Sequence, residues 1–323
     1  MAASSPPPQA GLDYPANWVE FERWFATEQA CLDYLSRIRW PQGFRCPRCN
    51  GARSWPTGRV GLLQCAGCSR QTSVIAGTLF EGTHKPLQLW LRAMWLITSQ
   101  KNGVSALNMQ RQLGLTRYET AWVWLHKLRR AMVRPGRDRL SGVVEVDETY
   151  VGGVESGVRG RESFTKTVVV VAAEEDGPRI GRIRLGALAD ASGANLVPFV
   201  EQCVHPGATV RTDAWEGYEG LSGKGFCHRV VNIKRSGKPA HELLPRVHRI
   251  AALLKRWWLG THQGRIGSGH LDYYLDEFTF RFNRRRSIKR GMLFYRLVEQ
   301  AVQLDPVHWT DVADAERGHD PNR

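Results

Sequence analysis

The sequence predicts a chain of several modules: a small cysteine-knuckle module, a helical region, and a larger mixed α/β domain. Three observations carry this reading. Four of the seven cysteines fall in two Cys-x-x-Cys pairs, Cys46/Cys49 and Cys65/Cys68. From Lys85 to Met132 apolar residues recur at helical spacing, and from about residue 140 the texture changes to β-branched runs broken by Gly, Asp and Pro.

Length and charge bound the answer. With 323 residues, 42% of them hydrophobic, the chain can enclose more than one core. A formal charge of +14 points to a polyanionic partner, because phosphate counterions released on binding supply much of the affinity of basic proteins for nucleic acid. A membrane surface is the weaker alternative. No apolar run approaches the roughly 18 residues of a membrane span. The start, "MAASSPPPQAGLDYP", has neither the basic nor the apolar segment of a signal peptide, so a cytoplasmic protein is expected.

In chain order, residues 1–17 are rich in Pro, Ala and Ser and are expected to be disordered. Residues 18–43 carry an amphipathic pattern (Phe21, Trp24, Phe25, Leu32, Leu35, Ile38) that predicts one or two short helices. Residues 44–75 hold the two knuckles, separated by fifteen residues. That spacing lets four thiolates close a tetrahedron around one Zn²⁺, whose binding supplies the folding energy of a segment too short for its own core. Because all four positions are cysteine, no coordination site stays open, and the zinc is expected to be structural. Cys31, Cys203 and Cys227 are scattered and read as small apolar residues. Between the knuckles, Arg53, Trp55 and Arg59 suit either a phosphate backbone or a solvated loop.

Residues 85–134 predict helices, the first opening on Pro86, a residue suited to a first helical turn. Within "GVSALNMQRQLGLTRYETAWVWLHKLRRAM" the pattern gives a helix over 105–113, a turn at Gly114, and Thr116 as N-cap of a second helix. Read as a helix-turn-helix, it would expose Arg117, Tyr118 and Thr120 to DNA and pack Trp122, Leu125 and Leu128 inward. A plain helix pair is the alternative.

After Pro135 and Gly136 the α/β domain, assigned to residues 140–300, opens with three strand patterns, "SGVVEVDETYVGG", "KTVVVVAAEED" and "RIGRIRLGAL". A helix over 191–203, a strand "ATVRTD" and a helix over about 242–258 follow, leaving 301–323 as a tail. Asp147 and Asp213 each end a strand. If those strands are neighbours, the carboxylates converge and repel unless cations sit between them, which predicts a Mg²⁺ or Mn²⁺ site. His248 and Lys255, seven residues apart, share one face of the later helix.

The stretches "CPRC" with "CAGC", "VEVDETYVGG", "RTDAWEGY", "LLKRWWLGTHQG" and "YLDEFTFRFNRR", spread from about residue 45 to 285, resemble those of the zinc-ribbon DDE-type insertion-sequence transposases, the group numbered fifteen ninety-five. The resemblance implies an N-terminal zinc ribbon, a helical DNA-binding region and a ribonuclease-H-like catalytic domain with two divalent metals. It also implies strand cleavage and transfer at element ends. Asp147 and Asp213 match the family's first two ligands. The third is usually Glu or Asn followed by Lys; Lys255 fits the lysine, which assigns the third place to His248. That is a departure, since imidazole ligates Mn²⁺ but is a poorer partner for Mg²⁺ than a carboxylate. Glu242, Asp276 and Glu277 stand in reserve. Arg284, Arg285 and Arg286, within "RFNRRRSIKR", read as a phosphate-binding surface or a solvated helix end. The implied partners are terminal inverted repeats, target DNA and further copies of the chain on DNA, in a nucleoid-associated setting. A non-catalytic DNA-binding regulator and a nuclease that cuts without joining are the alternatives.

Overall fold

A computed structural model describes residues 7–134, 136–152, 166–263 and 268–313. The chain divides into two compact units, Met1–Arg134 with Arg286–Asp314, and a unit that runs over Pro135–Arg285.

The first unit opens with α1 (Trp18–Trp24) and α2 (Glu28–Arg39). Each starts where a polar side chain accepts a hydrogen bond from a free amide of the first turn: Asn17 from Glu20 and Thr27 from Ala30. Three short antiparallel strands follow, β1 (Ser54–Pro56), β2 (Leu62–Cys65) and β3 (Gln71–Ser73). Helix α3 (Leu87–Ser99) buries Trp90, Leu91, Met94 and Ile97. Helix α4 (Ala106–Leu113) ends on Gly114, whose left-handed φ of 63° only glycine takes without strain. Helix α5 (Tyr118–Arg130) begins after Arg117, one residue later than the Thr116 cap expected from the sequence.

The second unit is a mixed sheet of five strands: β4 (Val143–Val151), β5 (Thr167–Asp176), β6 (Arg179–Leu188), β7 (Thr209–Asp213) and β8 (Cys227–Val231). The order is β6-β5-β4-β7-β8, with β4, β5 and β6 antiparallel and β7 parallel to both β4 and β8. The last strand, "CHRVV", has no place in the sequence reading. It lies at the sheet edge and leaves Val230 exposed, so neither an alternating nor a continuous apolar pattern marks it.

Helix α6 (Gly193–Cys203) packs with Tyr218 on one face of the sheet, over Val144, Val146 and Val170. Short helices α7 (Ile233–Ser236) and α8 (Ala240–Leu243) lead to α9 (Pro245–His262), and α10 (Leu271–Asn283) follows. Val247, Ile250, Leu254, Leu275 and Phe278 from α9 and α10 cover the other face, over Val151, Val169 and Val171. Strand alternation therefore decides which helix each β4 side chain meets. Edge strand β6 is covered by α10, where Asn283 exchanges hydrogen bonds with the Ile183 backbone and Asp272 accepts from the Ala187 amide.

Helix α11 (Arg290–Ala301) and α12 (Trp309–Ala313) belong to the first unit. The boundary thus falls at Arg285, where the sequence reading carried the α/β domain on to residue 300. Amphipathic spacing in α11 announces a buried face without naming its partner, and that partner is the aromatic cluster of α1–α3. Phe294 is fully buried among Phe21, Trp95 and Phe25, at 5.5, 5.6 and 5.8 Å between ring centres. Tyr14, in the stretch expected to be disordered, is buried beside Tyr295, and a side chain at Gly291 would run into the Pro15 carbonyl. Phe294→Ala is expected to destabilise this unit by about 3–5 kcal/mol, read from urea unfolding; a change under about 1 kcal/mol would contradict the packing described.

Candidate active site

The cysteine module has the geometry of a closed metal site. The sulfurs of Cys46, Cys49, Cys65 and Cys68 all lie within 4.8 Å of one another, with Cys46–Cys68 and Cys49–Cys65 at 3.6 Å. Two like turns build it. The Asn50 amide donates to the Cys46 carbonyl and the Ser69 amide to the Cys65 carbonyl, with Asn50 and Ser69 both in the left-handed region at φ 58° and 56°. Backbone amides turned onto the Cys46 sulfur, that of Cys49 first, pull its thiol down, while Cys49, despite the Gly51 amide, is pushed up by its hydrogen bonds to Cys68 and Cys65, so without a cation the clustered thiols share their protons. Four sulfurs and no oxygen donor fit a structural Zn²⁺.

The second candidate site lies on the α9 face of the sheet. Strands β4 and β7 run parallel with Val143 beside Thr209, Val144 beside Val210 and Glu145 beside Arg211. Two residues further along each strand come Asp147 and Asp213, in step and on the same face. Helix α9 crosses that face and brings His248 Nε2 to 3.6 Å from Asp147 Oδ2. Asp147 Oδ1 accepts from the Glu148 amide and Asp213 Oδ1 from the Trp215 amide, so each carboxylate is oriented by a backbone amide just after it. Asp213 closes β7 as expected, whereas Asp147, expected to end its strand, lies in the middle of β4, because the β-branched and aromatic residues Thr149, Tyr150 and Val151 carry the pairing with β5 past the two carboxylates. Burial pushes the His248 imidazole below its usual range, helped by His241 and Lys255 and opposed by Glu145 and Asp213. Lys255 follows on α9, exposed, with its ammonium lowered by desolvation and by Lys166. Among the described residues only the four cysteines form a set of three or more ligating side chains within 4.8 Å; Asp147, Asp213 and His248 stand wider apart than that.

Glu148 serves a different face. The buried Tyr218 hydroxyl donates to its Oε2 at 2.9 Å. Burial first, and then Glu148, Asp147 and Asp213, hold that phenol well above its usual range. Three carboxylates therefore concentrate negative charge at this sheet end. Nothing in the spacing of Tyr218 announces the role. Glu145 was also passed over in the sequence, although its place two residues before Asp147 puts it on the same face.

Two of the three reserve acids are engaged elsewhere. Asp276 lies 3.9 Å from Arg137, with burial pushing its carboxyl up to about 7, and Glu277 lies 3.9 Å from Arg281 one helical turn on. Glu242 is exposed on α8. Of the DNA-contact candidates, Arg117 and Tyr118 are exposed at the start of α5 and Thr120 is half-buried behind them. Trp122 packs against the His126 ring in a tilted contact, while Leu125 and Leu128 are buried as expected. Arg286 is exposed. Arg284 lies over the Phe280 ring and donates to the Phe280 carbonyl. Arg285 lies over the Phe282 ring and spends its donors on the carbonyls of Phe282, Gly181 and Ile180. Its side chain joins α10 to β6, with the planar guanidinium against an aromatic ring three residues back.

Residues 139–283 match the family model of the ISXO2-like transposase domain, and residues 26–71 match that of the transposase zinc-ribbon domain. The chain belongs to this zinc-ribbon transposase family. Together the two matches cover more than half of the chain, and the larger one spans β4 to α10, ending just before the boundary at Arg285. The ribbon match takes in the whole of α2, ahead of the start at residue 44 assigned from the cysteines. A comparison with curated proteins found no match. Among the described residues no helix is long and apolar enough to cross a membrane.

Proposed function

We propose that the chain is a DDE-type DNA transposase, cleaving and joining DNA strands at the ends of an insertion sequence with Asp147, Asp213 and His248 as ligands for divalent metal. One observation carries this: two aspartates stand in step on neighbouring parallel strands, and a histidine lies 3.6 Å from the first. The strand order β6-β5-β4-β7-β8 suits a ribonuclease-H-like domain. Oxygen donors with one imidazole, in a region crowded with carboxylates, fit Mn²⁺ or Mg²⁺. When bound, a pair of such ions would activate the attacking oxygen and stabilise the leaving one in phosphoryl transfer.

The chain's own residues do the rest. Asp147 turns Oδ1 to the Glu148 amide and Oδ2 toward His248, and burial keeps that imidazole neutral and able to ligate. Lys255, on the same helix, supplies a cation for the DNA backbone beside the reacting phosphate. Gly114 sets α5 against α4 as a helix-turn-helix, offering Arg117, Tyr118 and Thr120 to a groove. The working form is a homo-oligomer on terminal inverted repeats and target DNA, in the cytoplasm.

The test incubates the zinc-loaded full chain with DNA flanking its own gene, a target plasmid and Mn²⁺. Strands joined to the plasmid are expected. DNA bound but never cut, in Mn²⁺ or Mg²⁺, would leave a DNA-binding regulator; nicks without joined product would leave a nuclease. His248→Glu is expected to raise the ratio of Mg²⁺- to Mn²⁺-supported cleavage roughly tenfold, and an unchanged ratio would remove His248 from the ligand set.

A further inference from the structure

A second set of charged side chains lies beside the three candidate ligands, offset from them by two residues on each element. Glu145 precedes Asp147 on β4, Arg211 precedes Asp213 on β7, and Arg246 precedes His248 on α9. Two residues along a strand return to the same face, so Glu145 and Arg211 point where the aspartates point.

Glu145 is fully buried at the centre of this set. Its Oε1 lies 2.8 Å from Arg246 Nη1 and 3.8 Å from Arg211 Nη1. Its Oε2 accepts the amides of Arg246 and Val247 at 2.8 and 3.2 Å. Helix α9 has no capping side chain of its own at Leu244, so the β4 carboxylate satisfies its first turn and meets the positive end of its dipole. Glu175, from β5, lies 2.8 Å from Arg211 Nη1 and 2.7 Å from Arg246 Nη1. The remaining donors end on carbonyls, Arg246 Nη2 on Gly177 in the β5–β6 turn, Arg246 Nε on Arg179 and Arg211 Nη2 on Leu243, the last residue of α8.

Two acids and two arginines cancel in charge, so the layer neither draws in nor repels a cation. What it does is tie three strands and the start of α9 together one step back from the ligands. We infer that Glu145, Glu175, Arg211 and Arg246 are positioning residues that set the separation of Asp147, Asp213 and His248. Glu145 is the central one, because its two oxygens hold both the α9 backbone and the Arg246 side chain. The inference rests on the proposed reading of those three ligands.

Mn²⁺ alone is the probe, titrated into the zinc-loaded full chain and followed by electron paramagnetic resonance. Wild type is compared with Asp147→Asn, Glu145→Gln and Glu175→Gln, with circular dichroism as the check on folding. Asp147→Asn is expected to lose the bound-Mn²⁺ signal. Glu145→Gln is expected to keep the fold, weaken Mn²⁺ at least about tenfold and broaden the bound spectrum, as loosened ligand geometry requires. Glu175→Gln, at a half-exposed position with no backbone to cap, should fold in any case and weaken Mn²⁺ a few-fold. A cluster that only stabilises the domain would lower the unfolding midpoint of these variants and leave affinity and spectrum as in wild type. That result, beside a loss in Asp147→Asn, overturns the inference and leaves the ligand reading standing. Wild-type binding by Asp147→Asn removes the ligand reading and this inference with it.

Discussion

Asp147→Asn, and separately Asp213→Asn, is expected to lower strand cleavage by at least about 10³-fold while leaving affinity for DNA ends within a factor of about two. Asn has the size of Asp and can still accept the Glu148 or Trp215 amide, so the local backbone keeps its hydrogen bonds. What disappears is one negative charge at a place where Asp147, Glu148 and Asp213 all bear on one phenol. A divalent ion loses a hard, charged oxygen, and several kcal/mol of transition-state stabilisation go with it. The folded state gains slightly, because crowded like charges repel each other when no cation is present. An unchanged or slightly raised melting temperature beside a silent cleavage assay is therefore the signature. A variant that cuts at the wild-type rate would show that these aspartates only shape the strand ends.

Both aspartates stand out as acids after short β-branched runs, although only Asp213 closes its strand while β4 runs on past Asp147 to Val151; which strands lie side by side was not legible. Neighbourhood in a sheet depends on contacts far apart in sequence, and β4 could as well have paired with β6 as with β7. Once β7 is its parallel neighbour, the register brings Asp147 and Asp213 into step. His248 entered through its spacing from Lys255 and through resemblance; its approach to Asp147 depends on how α9 crosses the sheet, which no local pattern encodes. The same limit explains α11, whose apolar face was visible and whose partner was not. The contacts of Arg285 were hidden for another reason. Runs of arginine look alike whether they face phosphate or carbonyls, and only the ring at Phe282 and the carbonyls of β6 decide. Glu145 was hidden by its company, an acid in a valine run, where burial is tolerated because two arginines and two amides receive it.

Removing zinc should have an equally large effect, confined to the ribbon. Its core is Phe44, Cys46 and Cys65, with Trp40, Leu63 and Cys68 packed against them, and its strands are three or four residues long. So little apolar surface cannot offset the conformational entropy of ordering some thirty residues. Metal binding in sites of this kind contributes about 10–16 kcal/mol at neutral pH, which is more than the ribbon can lose. Chelation, or Cys46→Ser, is therefore expected to unfold residues 44–75 and release the backbone at Arg53 and Arg59, whose side chains are already exposed, into the extended form that trypsin cleaves. The sheet of the second unit has its own clusters on both faces and should stay protected. Mass spectrometry of a timed digest separates the outcomes: early cuts at Arg53 and Arg59 only after chelation are expected. Equal protection with and without metal would mean that the four sulfurs hold nothing the fold depends on. If the ribbon contributes to DNA binding, the chelated protein should also lose affinity for element ends while Mn²⁺ binding at Asp147 persists, since that site is built wholly from β4, β7 and α9.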